Sequence, residues 1–333
     1  MPIELPNISG EWIDKIFRLK PASFEAMALE TFVYQYHHNT IYAQYANAVG
    51  KSPANVKALQ DIPFLPIRFF KSHQVTSGDF VPEAVFESSG TTQTINSKHY
   101  VKSLAIYRES FLRAFEHFYG DIKDWCIIGL LPSYLERSNS SLVVMADELI
   151  KRSNHSESGF YLYEHEKLTN ALQQLEAKKQ KTLLLGVTFA LLDFADDYPQ
   201  KLQHTIVMET GGMKGRREEW TRQQVHDFLT AQLGVPVIHS EYGMTELLSQ
   251  AYSDGNGIFR CPDWMKIVLR ADDDPLQLSE SNTGIINVID LANIYSCSFI
   301  ATDDAGKLYK DGSFEVIGRT DNSDLRGCSL MTL

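Results

Sequence analysis

The stretch H-S-E-Y-G-M-T-E, at residues 239–246, carries side chains that could bind a nucleotide and a metal ion. An aromatic ring such as that of Tyr242 can stack on a base. The hydroxyl of Thr245 can donate to a phosphate oxygen, and the carboxylate of Glu246 can hold a hard cation. These types, placed within five residues, make the stretch a candidate nucleotide site.

A β-prone run directly precedes this stretch and predicts a buried strand over Val235–Ile238. Gly243 is expected to let the chain turn sharply at the end of that strand. Ligands of α/β sheets bind beyond the carboxyl ends of strands, which suits a site here. An ordinary strand-to-helix turn, with Thr245 near the helix cap, is the alternative.

A second candidate is a hydroxyl-rich segment, E-S-S-G-T-T-Q-T at residues 87–94. Backbone N–H groups and hydroxyls at this density can bind phosphates, although the P-loop pattern G-x-x-x-x-G-K-[ST] is absent. Lys98 and His99 follow, and we expect them to add positive charge near an anion. A flexible polar loop is the alternative. The candidate phosphate-binding residues are Ser88, Ser89, Gly90, Thr91 and Thr92.

A third candidate is the glycine pair Gly211–Gly212, which follows a predicted strand at residues 204–210. Paired glycines allow a flat ligand to approach the backbone closely, whereas a tight turn without a ligand is the alternative. The pair does not extend to G-x-G-x-x-G, so a dinucleotide-binding fold is not supported.

The elements that must position these segments alternate between helix and strand, which predicts an α/β fold with largely parallel strands. Amphipathic spacing predicts two helices with a bend within 24–48 and a strong helix at Leu104–Tyr119. Strands and acidic or glycine turns dominate from residue 257 onward. We therefore expect an α/β core over residues 1–255 and a β-rich lobe over residues 256–333. The other predicted strands lie at 125–131, 160–163, 182–187, 266–270, 284–290 and 296–301, and the other helices at 142–152, 169–179 and 220–233.

Composition limits the classes of function. The chain has 333 residues and a net charge of −11, which argues against a broad nucleic-acid-binding surface. No apolar run approaches about 18 residues, so no membrane span is expected. The four cysteines, which form no C-x-x-C pair, and the lack of a signal-peptide pattern at the first residues predict a reducing cytoplasmic location.

The tail adds a fourth segment, T-D-D at 302–304 followed by G-R-T-D at 318–321, which read alone predicts a hairpin with an Asp311-Gly312 turn. The order S-S-G-T-T, E-T-G-G, E-Y-G-M-T-E and T-D-D…G-R-T-D resembles the adenylate-forming superfamily of acyl-CoA and aryl-CoA ligases over about residues 60–327. The ending D-L-R-G-C-S-L and the early I-P-F-L-P segment resemble more particularly the acyl-protein synthetases (LuxE-like) of the bacterial luciferase pathway.

The resemblance implies a role for each motif. Residues 88–92 would form the phosphate loop, Gly211 and Gly212 would line the adenine slot, and Tyr242, followed by Gly243, would face the base. Thr245 would contact the α-phosphate and Glu246 would hold Mg²⁺. Asp304 would bind the ribose hydroxyls of ATP, with Arg319 nearby. Gln93 and Asp303 occupy positions where the superfamily usually has glycine.

The resemblance also implies a fold and a reaction. The fold is the large N-terminal domain of adenylate-forming enzymes, with αβ layers and a β-rich C-terminal lobe. The chain stops at Leu333, so we expect the mobile C-terminal domain to be absent. That favours an acyl-protein synthetase, which the resemblance implies would activate a carboxylic acid, expected to be a fatty acid, with ATP and carry the acyl group on a cysteine at the position of Cys328.

Three hypotheses follow from these motifs. The first is an ATP- and Mg²⁺-dependent acyl-protein synthetase whose partner is an acyl-CoA-reductase-like or carrier protein. The second is a phenylacetate-type CoA ligase. The third is a nucleotide-binding protein without catalysis, against which the presence of Thr245 and Glu246 argues.

Overall fold

A computed structural model of the protein describes residues 10–88, 95–132, 139–211, 220–272, 274 and 276–319. The described residues divide into two units. The parallel-sheet unit contains those within 108–244 and 250–259. The antiparallel-sheet unit contains those within 1–107, 245–249 and 260–333.

The elements along the described chain are as follows. The helices are α1 Gly10–Phe17, α2 Phe24–His38, α3 Thr40–Ala48, α4 Phe69–Ser72, α5 Leu104–Tyr119, α6 Ser141–Ser153, α7 His165–Ala177, α8 Thr188–Asp197 and α9 Arg222–Leu233. The strands are β1 Leu65–Pro66, β2 Ala84–Glu87, β3 Lys98–Val101, β4 Cys126–Leu130, β5 Gly159–Phe160, β6 Thr182–Gly186, β7 Thr205–Glu209, β8 His239–Tyr242, β9 Ala251–Ser253, β10 Ile258–Arg260, β11 Met265–Arg270, β12 Thr283–Asp290, β13 Phe299–Leu308 and β14 Phe314–Arg319.

The parallel-sheet unit is built on strands in the order β10-β9-β8-β7-β6-β4-β5. From β5 to β8 the pairs are parallel, whereas β8 and β9 are antiparallel. Every residue of β4 and β6 is buried, as expected for parallel strands that are covered on both faces. Because β7 and β8 are parallel neighbours, their carboxyl ends, followed by Gly211 and Gly243, lie at one edge of this sheet.

Helix α9 shows how the sequence sets the approach to β8. Thr221 and Gln224 form a capping box at its start, and Gly234, with φ of 63°, ends it in the left-handed region that favours glycine. The chain then passes through Pro236 before β8 begins at His239.

The antiparallel-sheet unit contains the meander β11-β12-β13-β14, with β1 paired in parallel to β13. The hairpin β13–β14 places Asp304 opposite Arg319, and its turn contains Gly312 with φ of 85°. Strands β2 and β3 form a separate antiparallel pair in which Phe86 lies opposite His99.

A buried glutamine joins helix α2 to the turn before β13. The Gln35 amide donates to the carbonyls of Asn293, Ile294 and Ser296 at 3.1, 3.0 and 3.3 Å. Its carbonyl accepts from the Ser298 N–H at 2.9 Å. This irregular turn would otherwise leave buried backbone groups without partners, so Gln35 fixes its conformation.

The structure confirms the α/β architecture and the largely parallel strands predicted from the sequence. It also confirms the helix at Leu104–Tyr119 and the break near residue 39, where the Asn39 side chain accepts from the Tyr42 N–H and begins α3. The Asp311-Gly312 hairpin is likewise present. The predicted division at residue 255 stays a prediction.

The predicted strand at Val235–Ile238 is wrong, because β8 begins only at His239. Pro236 has no N–H to donate to a sheet ladder, and the alternation of part-buried and buried residues lies in His239–Tyr242 instead. The alternative of a strand-to-helix turn is also wrong, because the next element is the antiparallel strand β9. The strand predicted at 160–163 is limited to Gly159–Phe160.

Candidate active site

The segment 245–249 contains the candidate residues Thr245 and Glu246 and has no regular secondary structure. Two buried side chains of the antiparallel-sheet unit bond its first two carbonyls. His99 Nδ1 lies 2.8 Å from the Thr245 carbonyl, and the Asn293 amide donates to the Glu246 carbonyl at 2.7 Å. These two hydrogen bonds therefore fix the backbone that carries the Thr245 and Glu246 side chains.

Asp290, at the end of β12, holds the other end of this segment. Its fully buried carboxylate accepts from the N–H groups of Leu248 and Ser249 at 2.7 and 3.0 Å and from the Ser249 hydroxyl at 2.6 Å. Trp264 Nε1 donates to the same hydroxyl at 3.0 Å. Burial raises the pKa of Asp290 to about 6, and these donors work against the rise.

Glu246 is 4 % exposed, and burial raises its pKa above the ordinary value. The Ser97 hydroxyl, which bonds to its carboxyl group, and the positive charges of Arg319 and Lys71 act in the opposite direction. Arginine and lysine side chains are also the common partners of phosphate oxygens, so both cations are of a type that a phosphate-binding site needs.

Ser97 also belongs to the base of the hydroxyl-rich segment. The Ser88 N–H donates to the Ser97 carbonyl at 3.1 Å, and the Ser97 N–H donates to the Ser88 hydroxyl at 2.9 Å. The two ends of the candidate phosphate loop are thus fastened together beside Glu246. The predicted phosphate-binding residues Ser89, Gly90, Thr91 and Thr92 lie outside the described residues, as do Gly212 and the predicted acyl carrier Cys328.

Asp304 and Arg319 face each other across the β13–β14 hairpin. Arg319 Nε lies 3.9 Å from Asp304 Oδ1, and the Asp304 N–H donates to the Thr302 hydroxyl at 3.1 Å. Arg319 is 66 % exposed on its side chain, whereas Asp304 is 17 % exposed. Since the charge of Arg319 also acts on Glu246, the structure places Asp304, Arg319 and Glu246 in one charged cluster.

In the parallel-sheet unit, the loop after β7 is organised by Glu209. Its Oε2 accepts from the Gly211 N–H at 2.8 Å and from the Thr188 hydroxyl at 3.0 Å, and Oε1 lies 3.8 Å from His226 Nε2. Burial opposes ionisation of Glu209, but His226 and the Gly211 N–H outweigh it and lower the pKa. Gly211 has φ of 65° and is exposed, so the position requires glycine and leaves space above the backbone.

The next strand, β8, brings Tyr242 and Gly243 to the same edge, because Glu209 pairs with Ser240 in parallel register. Tyr242 is 9 % exposed and its ring packs on Phe259 at 5.9 Å between centroids. Gly243 does not have a positive φ. A Cβ atom there would meet the Glu241 carboxyl group, so a larger residue would have to displace that side chain.

Glu241 is part-buried, and burial raises its pKa to about 7. The Thr210 hydroxyl works against this rise, and the negative charge of Glu209 adds to it. Two carboxyl groups therefore lie beside the loop that contains Gly211, one ionised and one titrating near neutrality.

The carboxylate ligands available for Mg²⁺ at this site are few. In the described part of the chain, no group of three His, Cys, Asp or Glu side chains could hold a metal ion. Glu246 is a single carboxylate, and Mg²⁺ is commonly bound by one or two carboxylates together with waters and substrate phosphates. Glu246 therefore fits a metal that arrives with a phosphate ligand and does not fit an all-protein site.

Sequence reasoning missed the residues that hold the site in place and misjudged one of them. Asn293 and Asp290 lie more than 40 positions from the backbone groups that they bond, and no local motif indicates them. His99 was expected to add positive charge, but this is wrong. Burial lowers its pKa to about 4, and the hydrogen bond to the Thr245 carbonyl only partly offsets the effect, so His99 is neutral at physiological pH.

Comparison with known proteins gives a family and a fold. A family model described as acyl-protein synthetase, LuxE, matches residues 17–332. A search of curated proteins found no match.

In the described residues, no helix is both long and apolar enough to cross a membrane.

Solved structures similar to this chain include two states of a 2-hydroxyisobutyryl-CoA ligase and an ATP-bound MatB. The open conformation of 2-hydroxyisobutyryl-CoA ligase with 2-HIB-AMP and CoA has a TM-score of 0.62 at 13 % identity, covering 96 % of this chain and 80 % of the ligase. The thioesterification state of that ligase gives 0.63 at 13 % identity, with coverages of 97 % and 74 %. ATP-bound MatB from Rhodopseudomonas palustris gives 0.51 at 15 % identity and covers 71 % of this chain. The chain spans about half (48 %) of the length of MatB, and identities this low show the fold alone.

The raised pKa of Glu241 predicts a pH dependence of stability. Because the folded pKa of about 7 exceeds the ordinary value of 4.5, this group's contribution is complete below about pH 4.5 and is lost as the pH rises through 7. Glu241→Gln, which cannot ionise, is expected to remove this loss, which we place at roughly 1–3 kcal/mol.

Urea denaturation of both proteins at about pH 5 and pH 8 measures this effect. The exposed Glu116→Gln, on α5, serves as the matched control and is expected to follow the wild type. A wild type and a Glu241→Gln variant that change in parallel between the two pH values would refute the assignment.

Proposed function

The chain belongs to the acyl-protein synthetase (LuxE) family, and from this membership we propose that it activates a carboxylic acid with ATP and then passes the acyl group to a cysteine thiol. In the first reaction an oxygen of the acid attacks the α-phosphorus of ATP. The bond from that phosphorus to the bridging oxygen breaks, and pyrophosphate leaves. The products are acyl-AMP and pyrophosphate.

The observation that carries this proposal is the charged cluster around the buried Glu246. Arg319 and Lys71 both act on its carboxyl group, and the Thr245 hydroxyl is on the preceding residue. Cationic and hydroxyl donors at fixed positions stabilise the negative charge that develops on phosphate oxygens. We assign Arg319 and Lys71 to the phosphates and Thr245 to the α-phosphate.

Glu246 would hold Mg²⁺, which would supply charge neutralisation at the phosphates when bound. Its own contribution is a carboxyl group at a fixed point, with a hydrogen bond from the Ser97 hydroxyl. The fastened base of the loop, Ser88 with Ser97, would present residues 88–92 to the phosphates.

Asp304 would accept hydrogen bonds from the ribose hydroxyls, because it is a carboxylate beside an arginine and is partly accessible. In the parallel-sheet unit, the exposed Gly211 would allow the adenine ring to approach its backbone, and Tyr242 would contact the base. Gly212 would allow close approach in the same way, and Gly243 would follow Tyr242 beside the base.

In the second reaction we propose Cys328 as the acceptor. Its thiolate would attack the acyl carbonyl, a C–S bond would form, the C–O bond to the phosphate would break, and AMP would leave. The cysteines of the described residues fit this role poorly. Burial raises the pKa of Cys126 to about 11, that of Cys297 to about 12, and that of Cys261 further. A buried thiol is a weak nucleophile.

We further propose a fatty acid as the substrate, a carrier or acyl-CoA-reductase-like protein as the final acceptor, and the cytoplasm as the location. The family description, acyl-protein synthetase, supports a protein as the acyl acceptor. A CoA ligase is the second candidate, favoured by the likeness to a 2-hydroxyisobutyryl-CoA ligase whose structure contains CoA.

Replacing Glu246 tests the first reaction. Glu246→Gln keeps the size of the side chain but removes its charge, so we expect ATP–pyrophosphate exchange to fall by at least about a hundredfold with acids that support exchange in the wild type. Thermal unfolding and circular dichroism show whether the variant is folded. The exposed Glu280→Gln serves as the matched control and is expected to exchange at the wild-type rate. A folded Glu246→Gln protein with unchanged exchange contradicts the assignment.

Replacing Cys328 tests the second reaction. Cys328→Ser is expected to keep pyrophosphate exchange and to lose hydroxylamine-sensitive labelling by radiolabelled acid and ATP, because the activated acyl group then has no thiol to receive it. Cys261→Ser is the control and is expected to remain labelled.

Two results would overturn this step. Label that persists on the Cys328→Ser protein, or that maps to another cysteine by mass spectrometry, excludes Cys328 as the carrier. Release of acyl-CoA on addition of CoA, without labelled protein, favours the CoA ligase.

A further inference from the structure

His99 is a buried histidine to which the proposed reaction assigns no role. It lies on β3 with 1 % of its surface exposed. The rings of Phe70 and Phe86 pack edge-on against it at 6.0 and 6.5 Å between centroids. This apolar surrounding keeps the imidazole neutral and fixes the plane of the ring.

The hydrogen bond that His99 makes defines its tautomer. A carbonyl oxygen only accepts, so the Nδ1 atom, at 2.8 Å from the Thr245 carbonyl, carries the proton and donates it. This carbonyl belongs to the peptide group that joins Thr245 to Glu246. The orientation of that peptide therefore follows the position of the His99 ring.

The same residue is close in sequence to the candidate phosphate loop. Ser97, which fastens the loop to Ser88 and bonds the Glu246 carboxyl group, precedes His99 by two positions on the chain that enters β3. Residues 97–99 thus reach Thr245 and Glu246 at two points, because the Ser97 hydroxyl bonds the Glu246 carboxyl group and the His99 ring bonds the Thr245 carbonyl.

We propose that His99 is a positioning residue for acyl-adenylate formation, holding the Thr245–Glu246 peptide so that the Thr245 hydroxyl and the Glu246 carboxylate point toward the phosphates of ATP. The proposal rests on the proposed function for its catalytic consequence but not for the hydrogen bond itself. A small displacement of a catalytic group slows the reaction more than it weakens substrate binding. We therefore expect the loss of the His99 hydrogen bond to lower kcat rather than the affinity for ATP.

Three substitutions separate the hydrogen bond from the volume of the ring. His99→Asn keeps an N–H donor near the position of Nδ1, His99→Gln moves the donor one bond outward, and His99→Leu removes it. Phe86→Leu, at the opposite position on β2, loosens the same packing without touching the hydrogen bond and is the control for general destabilisation.

The first measurement is hydrogen–deuterium exchange of the full chain without ligand. Exchange in the peptide that covers residues 245–249 is expected to quicken by about tenfold in His99→Leu and His99→Gln and to stay within about threefold of the wild type in His99→Asn and Phe86→Leu. The peptide that covers β6 is the internal reference. Equal exchange in all four variants overturns the assignment of the hydrogen bond.

The second measurement is the kcat of pyrophosphate exchange together with the Kd for MgATP by calorimetry. His99→Leu is expected to lose about ten- to a hundredfold in kcat while its Kd changes by less than about threefold, and His99→Asn is expected to recover most of the rate. An unchanged kcat in a His99→Leu protein whose 245–249 peptide has become mobile reduces His99 to a structural residue and overturns the proposal. If the wild type exchanges with no acid, the proposed function fails, and the first measurement still decides the hydrogen bond.

Discussion

The proposed chemistry depends on one physical constraint, which is that a buried stretch of irregular backbone must find hydrogen-bond partners. Residues 245–249 have no ladder or helix to supply them. His99, Asn293 and Asp290 supply them instead from β3, the turn after β12 and the end of β12. Each partner is itself buried, so water does not compete for these hydrogen bonds. The bonds therefore fix the backbone that carries the side chains of Thr245 and Glu246.

The electrostatics of the site follow from the same burial. Glu246 would tend to be protonated, and the charges of Arg319 and Lys71 together with the Ser97 hydroxyl counteract that tendency. Asp304 shares Arg319, so the carboxylate proposed for ribose and the one proposed for the metal are linked through one guanidinium group. In the parallel-sheet unit, Glu209 has the corresponding role for Gly211, because it bonds the backbone that adenine is proposed to approach.

The parts of this arrangement that depend on neighbouring residues in the sequence could be predicted, whereas those that depend on distant residues could not. Periodicity located α5 to the residue, and the Asp-Gly turn located the β13–β14 hairpin, because both signals are local. The strand before the candidate site was placed four residues too early, since apolar Val235–Ile238 was preferred over the polar alternation of His239–Tyr242. Asn293 and Asp290 escaped notice because their partners are distant in sequence, and His99 was given a charge that only burial removes.

The central claim is that the oxygen of a carboxylic acid attacks the α-phosphorus of ATP on this protein. A direct measurement supplies an acid that supports pyrophosphate exchange, labelled with ¹⁸O in its carboxyl group, together with MgATP and the wild-type chain. Mass spectrometry then locates the label after one turnover. We expect one labelled oxygen in AMP and none in pyrophosphate, because the carboxyl oxygen that attacks the α-phosphorus stays bonded to that phosphorus when AMP leaves. Label in inorganic phosphate with ADP as the other product, or AMP without label, would contradict it.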